Sequence, residues 1–225
     1  LLRQGKNTLR FSVADGWYFC PQTRQELSDG PGEPSVLFQL EIAYQDGRVQ
    51  QVCSDGGEEC FFGAIEYADL FLGEKRDDSR SEGHRRLVAP ARFPLKNLCA
   101  QPMEPVRPVK RIPARAAYRS PKGEWIVDFG QVLCGRARIR VDVPKGTELV
   151  FEYFEVTDRE GNYRNTMIAP QKDVYLSGGM PCLYEAAFTF HGFRYLRVSG
   201  MDPVQKEDFT AVALSTEKED VGAFE

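Results

Sequence analysis

The sequence predicts an all-β fold, two β-sandwich domains in tandem of the jelly-roll or concanavalin-like kind. Three observations carry that prediction. Short runs alternate apolar and polar residues, as strands with one buried face require. Gly, Pro and Asp separate the runs at spacings typical of sandwiches. No run shows the helical period for the length of an ordinary helix, and strands do not alternate with helices as in a parallel α/β sheet. At 225 residues the chain is long for one sandwich and comfortable for two.

The organising stretch is Phe188–Gly200, the densest aromatic run in the chain. Phe188, Phe190, Leu196 and Val198 share one parity and predict a buried face, with Phe190 in the core. Gly192 predicts a bulge that re-aims Phe193 and Tyr195 toward a second apolar layer. His191, Arg194 and Arg197 fit a satisfied structural network.

From the N-terminus, Leu9, Phe11 and Val13 alternate with Arg10 and Ser12 and predict a strand. Asp15-Gly16 then makes a turn with Trp17 and Tyr18 at its exit. Prolines and glycines make residues 21–35 a loop. Val36, Phe38, Leu40, Ile42 and Tyr44 alternate, and Gln45-Asp46-Gly47-Arg48 turns them into a hairpin with Val49–Val52. The run Phe61–Leu72 suits either a strand or a short helix. Glu74–Arg86 is almost wholly polar and predicts a solvated loop.

Six prolines fall between residues 90 and 114, the sharpest composition break in the chain. They predict an extended connector and a domain boundary near Met103. The division is residues 1–103 for a first sandwich incomplete at its start, 104–216 for a second, and 217–225 for a linker. In the second unit, Trp125–Phe129, Ala137–Val143, Glu148–Val156, Asp173–Leu176, Tyr184–Ser199 and Phe209–Leu214 read as strands. Arg136, Arg138 and Arg140 share one outward face, bare or paired with nearby acids.

With 29 basic and 33 acidic residues the net charge is −4, which suggests neither a nucleic-acid partner nor an anionic membrane. No apolar run is long enough for a transmembrane helix. Cytoplasmic and periplasmic locations stay equally open. The six cysteines form no CxxC pair, and with two histidines they predict buried free thiols rather than zinc ligands. The even count permits disulfides, and Cys53 and Cys60 could pair across a loop.

Several ordered motifs resemble the bacterial α-L-rhamnosidases of glycoside hydrolase family 78. In the second half they are Val127-Asp128-Phe129-Gly130-Gln131 with Gly135, Pro144-Lys145-Gly146-Thr147, Glu155–Gly161, Asp173-Val174-Tyr175 and Phe188–Tyr195. In the first half they are Gly5-Lys6-Asn7, Gly16-Trp17-Tyr18, Tyr44–Gly47 and Gly73-Glu74. The pattern departs at Val132, where the family has asparagine. The resemblance implies two non-catalytic sandwiches that precede an (α/α)6 barrel in the same polypeptide. It also implies that the barrel hydrolyses terminal α-L-rhamnose with inversion. Glu152 and Glu155 sit three apart on an alternating strand and face opposite ways, so no catalytic residue is assigned.

The candidate sugar-binding residues are Trp17, Tyr18, Asp77 and Asp78. The aromatic pair offers a stacking face, with core packing as the competing role. Asp77 and Asp78 follow Gly73-Glu74 where related rhamnose-binding modules hold calcium, and are the candidate metal ligands. Lys75, Arg76 and Arg80 offer surface ion pairing instead. The implied roles are a sandwich segment of a rhamnosidase acting on rhamnose-containing carbohydrate, a stand-alone carbohydrate-binding module, or a scaffold for the barrel. An incomplete first sandwich would leave a sheet edge open to self-association.

Overall fold

The computed structural model describes residues 2–19, 34–80, 83, 85–86, 88–91, 96, 98–216 and 222. Residues 21–33 of the predicted loop 21–35, Cys20, His84 and almost all of the 217–225 linker lie outside the described residues. Among the described residues no helix is long and apolar enough to cross a membrane.

Two small antiparallel pairs come from the first half. The hairpin β1 (Gln39–Ala43) and β2 (Val49–Cys53) forms at the predicted turn, with Gly47 at φ 85 supplying the left-handed residue. Strands β3 (Cys60–Phe61) and β6 (Arg85–Arg86) make the other pair. Leu9–Val13 forms no strand. Those residues are exposed, and Phe11 stacks on Phe38 with ring centroids 5.0 Å apart. Ile65–Asp69, where helix and strand both fitted, is strand β4.

The main sheet runs β4, β5 (Gly73–Asp77), β11 (Lys172–Leu176), β10 (Glu148–Phe154), β13 (His191–Ser199), β9 (Trp125–Val141), β14 (Phe209–Thr216) and β7 (Val106–Pro113). Strands β8 (Ala116–Arg119) and β12 (Cys182–Glu185) also pair with β9. The long β9 is the spine. Its first part pairs with β8 and β13, and its last part with β12 and β14. Side chains from both parts meet in one core: Val127 and Phe129 with Ala137, Ile139, Phe151, Tyr153, Tyr184, Phe193, Leu196 and Phe209. The sheet thus curls along β9 and closes over its own inner face, as two sandwich layers do.

Alternation explains the second half. Ala137, Ile139 and Val141 are fully buried, while Arg136 and Arg138 on the other face pair with Glu185, and Arg140 with Asp208. In β13 the parity differs from the prediction. Thr189, His191 and Phe193 point inward, and Phe190 is 43% exposed. The register slips between Phe193 and Tyr195. Phe193 opposes Leu133 but Tyr195 opposes Asp128, so residues 129–132 bulge from β9 around Gly130. Beyond the slip Leu196 and Val198 take the buried positions.

Three further expectations are corrected. The proline-rich stretch is no simple connector, because β7 forms within it. Its place at the end of the sheet tolerates Pro108 and Pro113, which lack a backbone N–H. The described cysteines are free but not buried: Cys53, Cys60, Cys99 and Cys134 are exposed and Cys182 is half-buried. Glu74–Arg86 is not a solvated loop throughout, because its first residues form β5 and pair in parallel with β11. The β4–β5 hairpin therefore extends the sheet built by the second half of the chain.

Candidate functional site

Asp77 ends β5 and Asp78 follows it. Asp77 is 2% exposed. It accepts hydrogen bonds from Ser79 N (2.9 Å) and Ser79 Oγ (2.5 Å), and Arg80 Nε lies 2.7 Å from its other oxygen. The Ser79 hydroxyl, opposed by burial and helped by the Ser79 N–H and Arg80, holds the carboxyl below the usual range. Asp78 takes a two-pronged bond from Arg76, at 2.8 and 2.9 Å, and accepts the Tyr175 hydroxyl at 3.0 Å. Glu66 on β4 ties the surface together by pairing with both Lys75 and Arg80 at 2.8 Å. Calcium takes six to eight oxygen ligands. Both carboxylates are here engaged by arginine in an ion-pair network. Among the described residues no three His, Cys, Asp or Glu side chains are grouped to hold a metal ion.

Trp17 and Tyr18 lie on the surface, 56% and 63% exposed, so core packing is not their role. Their turn is anchored to β4: Gly16 bridges to Asp69, with Gly16 N donating to Ala68 O at 3.2 Å. Gly16 at φ 57 permits the turn. The anchor fixes an exposed aromatic pair at the turn end of the β4–β5 hairpin, opposite the end that carries Asp77.

The predicted network around Phe188–Gly200 is present. His191 Nδ1 is 3.1 Å from Gln171 Oε1, and its Nε2 is 3.2 Å from both Asp173 oxygens. Its ring stacks on Tyr153 at 4.1 Å. Arg194 forks onto Asp128 at 2.9 and 3.0 Å. Burial works against the Asp128 charge, but the Arg194 bonds outweigh it and hold that carboxyl low. Arg197 binds both Glu124 and Glu152, and its guanidinium lies 4.1 Å over the Tyr163 ring.

This last cluster holds the closest approach to paired-carboxylate chemistry. A surface cleft next to it is lined by Arg119, Glu124, Trp125, Arg197 and Asp202. An inverting glycosidase needs two carboxyl groups about 6.5–9.5 Å apart, flanking the bond with room for water. Glu124 and Glu152 instead flank the Arg197 guanidinium, and Asp202 pairs with Arg119 at 2.9 Å. Trp125 donates its indole N–H to Asp202 at 3.2 Å, and Arg119 covers its ring at 4.7 Å. A second cleft contains Arg140, Asp142, Asp202 and Asp208, and Asp208 is again tied to an arginine.

Sequence reasoning missed the buried pair Glu74 and Asp173, both at 0% exposure. Glu74 Oε2 accepts from the N–H groups of Ala187 and Phe188, and Asp173 Oδ1 accepts from Glu74 N and Thr189 Oγ1. A charge run gives no sign of burial unless a partner strand is known. The nearest signal was the position of Glu74 directly after Gly73.

Known proteins give the same picture. Residues 1–110 match the α-L-rhamnosidase N-terminal domain, and residues 118–215 match the bacterial α-L-rhamnosidase concanavalin-like domain. An α-L-rhamnosidase of Streptomyces avermitilis is 33% identical over 219 residues, covering 88% of this chain and 21% of that protein. One of Formosa agariphila is 26% identical over 258 residues, covering 100% of this chain and 26% of that protein. The chain thus spans roughly a quarter of the length of these relatives. The crystal structure of the Streptomyces avermitilis enzyme in complex with L-rhamnose superposes with TM-score 0.77 at 31% identity, over 91% of this chain and 21% of that one. The native α-L-rhamnosidase of Aspergillus terreus gives 0.73 at 28% identity, over 81% and 23%. Two ordered domains, sequence identity and fold agree: the chain belongs to the bacterial α-L-rhamnosidase family, of which it carries the N-terminal and concanavalin-like domains.

Proposed function

We propose that this chain is the non-catalytic β-sandwich segment of a bacterial glycoside hydrolase that removes terminal α-L-rhamnose from glycosides or polysaccharides. In this reading residues 1–103 and 104–216 are the two sandwiches, and 217–225 leads toward an (α/α)6 catalytic domain in the same polypeptide. The observation that carries it is the fate of the acids. Glu124 and Glu152 converge on the Arg197 guanidinium, which pairs with both. Such a segment supports a catalytic domain, and it needs a rigid core more than a reactive site.

A second reading, sugar capture, rests on the exposure of Trp17 and Tyr18. Aromatic faces on a fixed turn suit the apolar face of a pyranose ring, and Asp77 and Asp78, at the opposite end of the β4–β5 hairpin, are the candidate polar partners. Calorimetric titration of the 225-residue chain with L-rhamnose, with and without calcium, separates the two. A scaffold gives no saturable heat in either condition. Saturable binding abolished by Trp17→Ala favours sugar capture, and binding that appears only with calcium brings Asp77 and Asp78 into it.

A further inference from the structure

Glu74 is a glutamate with no exposed surface inside a sheet. Its Oε2 accepts hydrogen bonds from the backbone N–H of Ala187 (2.8 Å) and Phe188 (3.0 Å), in the connection between β12 and β13. Its own N–H donates to Asp173 Oδ1 on β11 at 2.9 Å. Its Oε1 is buried without a hydrogen-bond partner. One residue therefore joins β5, β11 and a connection more than a hundred positions away. An isolated buried charge is costly even when one oxygen is well bonded.

Several groups surround it. Asp173 faces it from β11, Arg76 lies along its own strand, and Tyr184 faces it from β12. On the far side of Asp173 are Thr189 and, from β13, His191, with Tyr153 of β10 stacked on the histidine ring. Tyr153 and Tyr184 hydroxyls are also buried without partners, so the surroundings offer little polar relief. Burial pushes the Glu74 carboxyl above its ordinary range. The Phe188 and Ala187 N–H groups and Arg76 oppose burial, and the Asp173 charge adds to it.

We propose that Glu74 is a protonation-controlled latch that clips the β12–β13 connection onto β5 most firmly when its carboxyl is neutral. The attachment of the β4–β5 hairpin to the sheet then depends on pH. When the acid is neutral, Oε2 still accepts from Ala187 and Phe188 as a carbonyl oxygen, and no charge sits at the unpartnered Oε1. Because the folded value is raised, this contribution is fully present below the unfolded carboxyl value of about 4.3 and is lost as pH rises through the raised one. Asp173 has the opposite sign. Burial raises it, but His191, the Glu74 N–H and Thr189 outweigh burial and hold it low. Its contribution is present above the unfolded value of about 3.9 and disappears as pH falls through the lowered one.

The test is hydrogen exchange on the 225-residue chain from about pH 4.5 to 8, corrected for the intrinsic rate, with ¹³C NMR titration of the Glu74 carboxyl. The opening constants for the amides of β5 and of Ala187 and Phe188 should rise by up to about tenfold per pH unit and then level off. Amides in β10 should not follow, and the Glu74 carboxyl should titrate over the same window. Glu74→Gln, which has the shape of the neutral acid, should flatten the rise. A rise that persists in Glu74→Gln does not come from the Glu74 carboxyl and overturns the proposal. So does protection of β5 that ignores pH. If Glu74→Gln fails to fold, the carboxyl titration decides alone, and a Glu74 that titrates in the ordinary carboxylate range overturns it.

Discussion

Phe190 and Phe193 stand three positions apart on one aromatic run and have opposite surroundings. Phe193 is fully buried, edge-on to Phe129 at 5.5 Å and to Tyr153 at 4.9 Å, while Phe190 is 43% exposed. Deleting a buried ring removes its transfer energy and leaves a cavity. Phe193→Ala should therefore destabilise the chain by about 3–5 kcal/mol. Phe190→Ala should cost about 1 kcal/mol or less. Chemical denaturation of both variants checks this, and equal losses would contradict the strand parity. The sequence reading put Phe190 inside because Phe188, Phe190, Leu196 and Val198 share a parity. It anticipated an irregularity in this run and a new aim for Phe193. The slip itself comes from the extra residues 129–132 on the partner strand β9, and a partner's bulge is invisible in a strand's own pattern.

At the scale of elements, the strands with one buried face were legible and the exceptional ones were not. Strands β1, β10 and β14 follow apolar alternation with turn residues at their ends, and so does the second half of β9. Strand β7 was hidden by its prolines, which only an edge position allows. Strand β5 was hidden by its charges, which arginines and backbone N–H groups satisfy after folding. Gly73 makes the β5 junction possible. Its φ is +91, and a Cβ there would lie 1.8 Å from the Lys172 carbonyl oxygen on β11. Gly73→Ala must both strain the backbone and push β5 from β11, so it should cost about 2 kcal/mol or more. Exchange protection should fall first in β4 and β5. A variant with wild-type stability would contradict the close contact between those strands.

For the molecule as a whole, the all-β class and the family were legible because motifs such as Val127–Gln131 and Phe188–Tyr195 fall on the strands and turns that build the core. The candidate sites were less legible. In the sequence Asp77 and Asp78 suit either metal ligation or surface pairing with Lys75, Arg76 and Arg80, and the fold shows Arg80 on Asp77 and Arg76 on Asp78. Trp17 and Tyr18 could have been core or surface, since their turn contains no parity to decide it. The proposed non-catalytic role of these domains rests on Glu124, Glu152, Asp202 and Asp208 being tied to arginines. The most direct measurement is the release of aryl alcohol from an aryl α-L-rhamnoside by the purified 225-residue chain. No turnover above the uncatalysed rate should be found. Turnover that is abolished by Glu124→Gln or Glu152→Gln would show that a carboxylate here performs catalysis and would contradict the account.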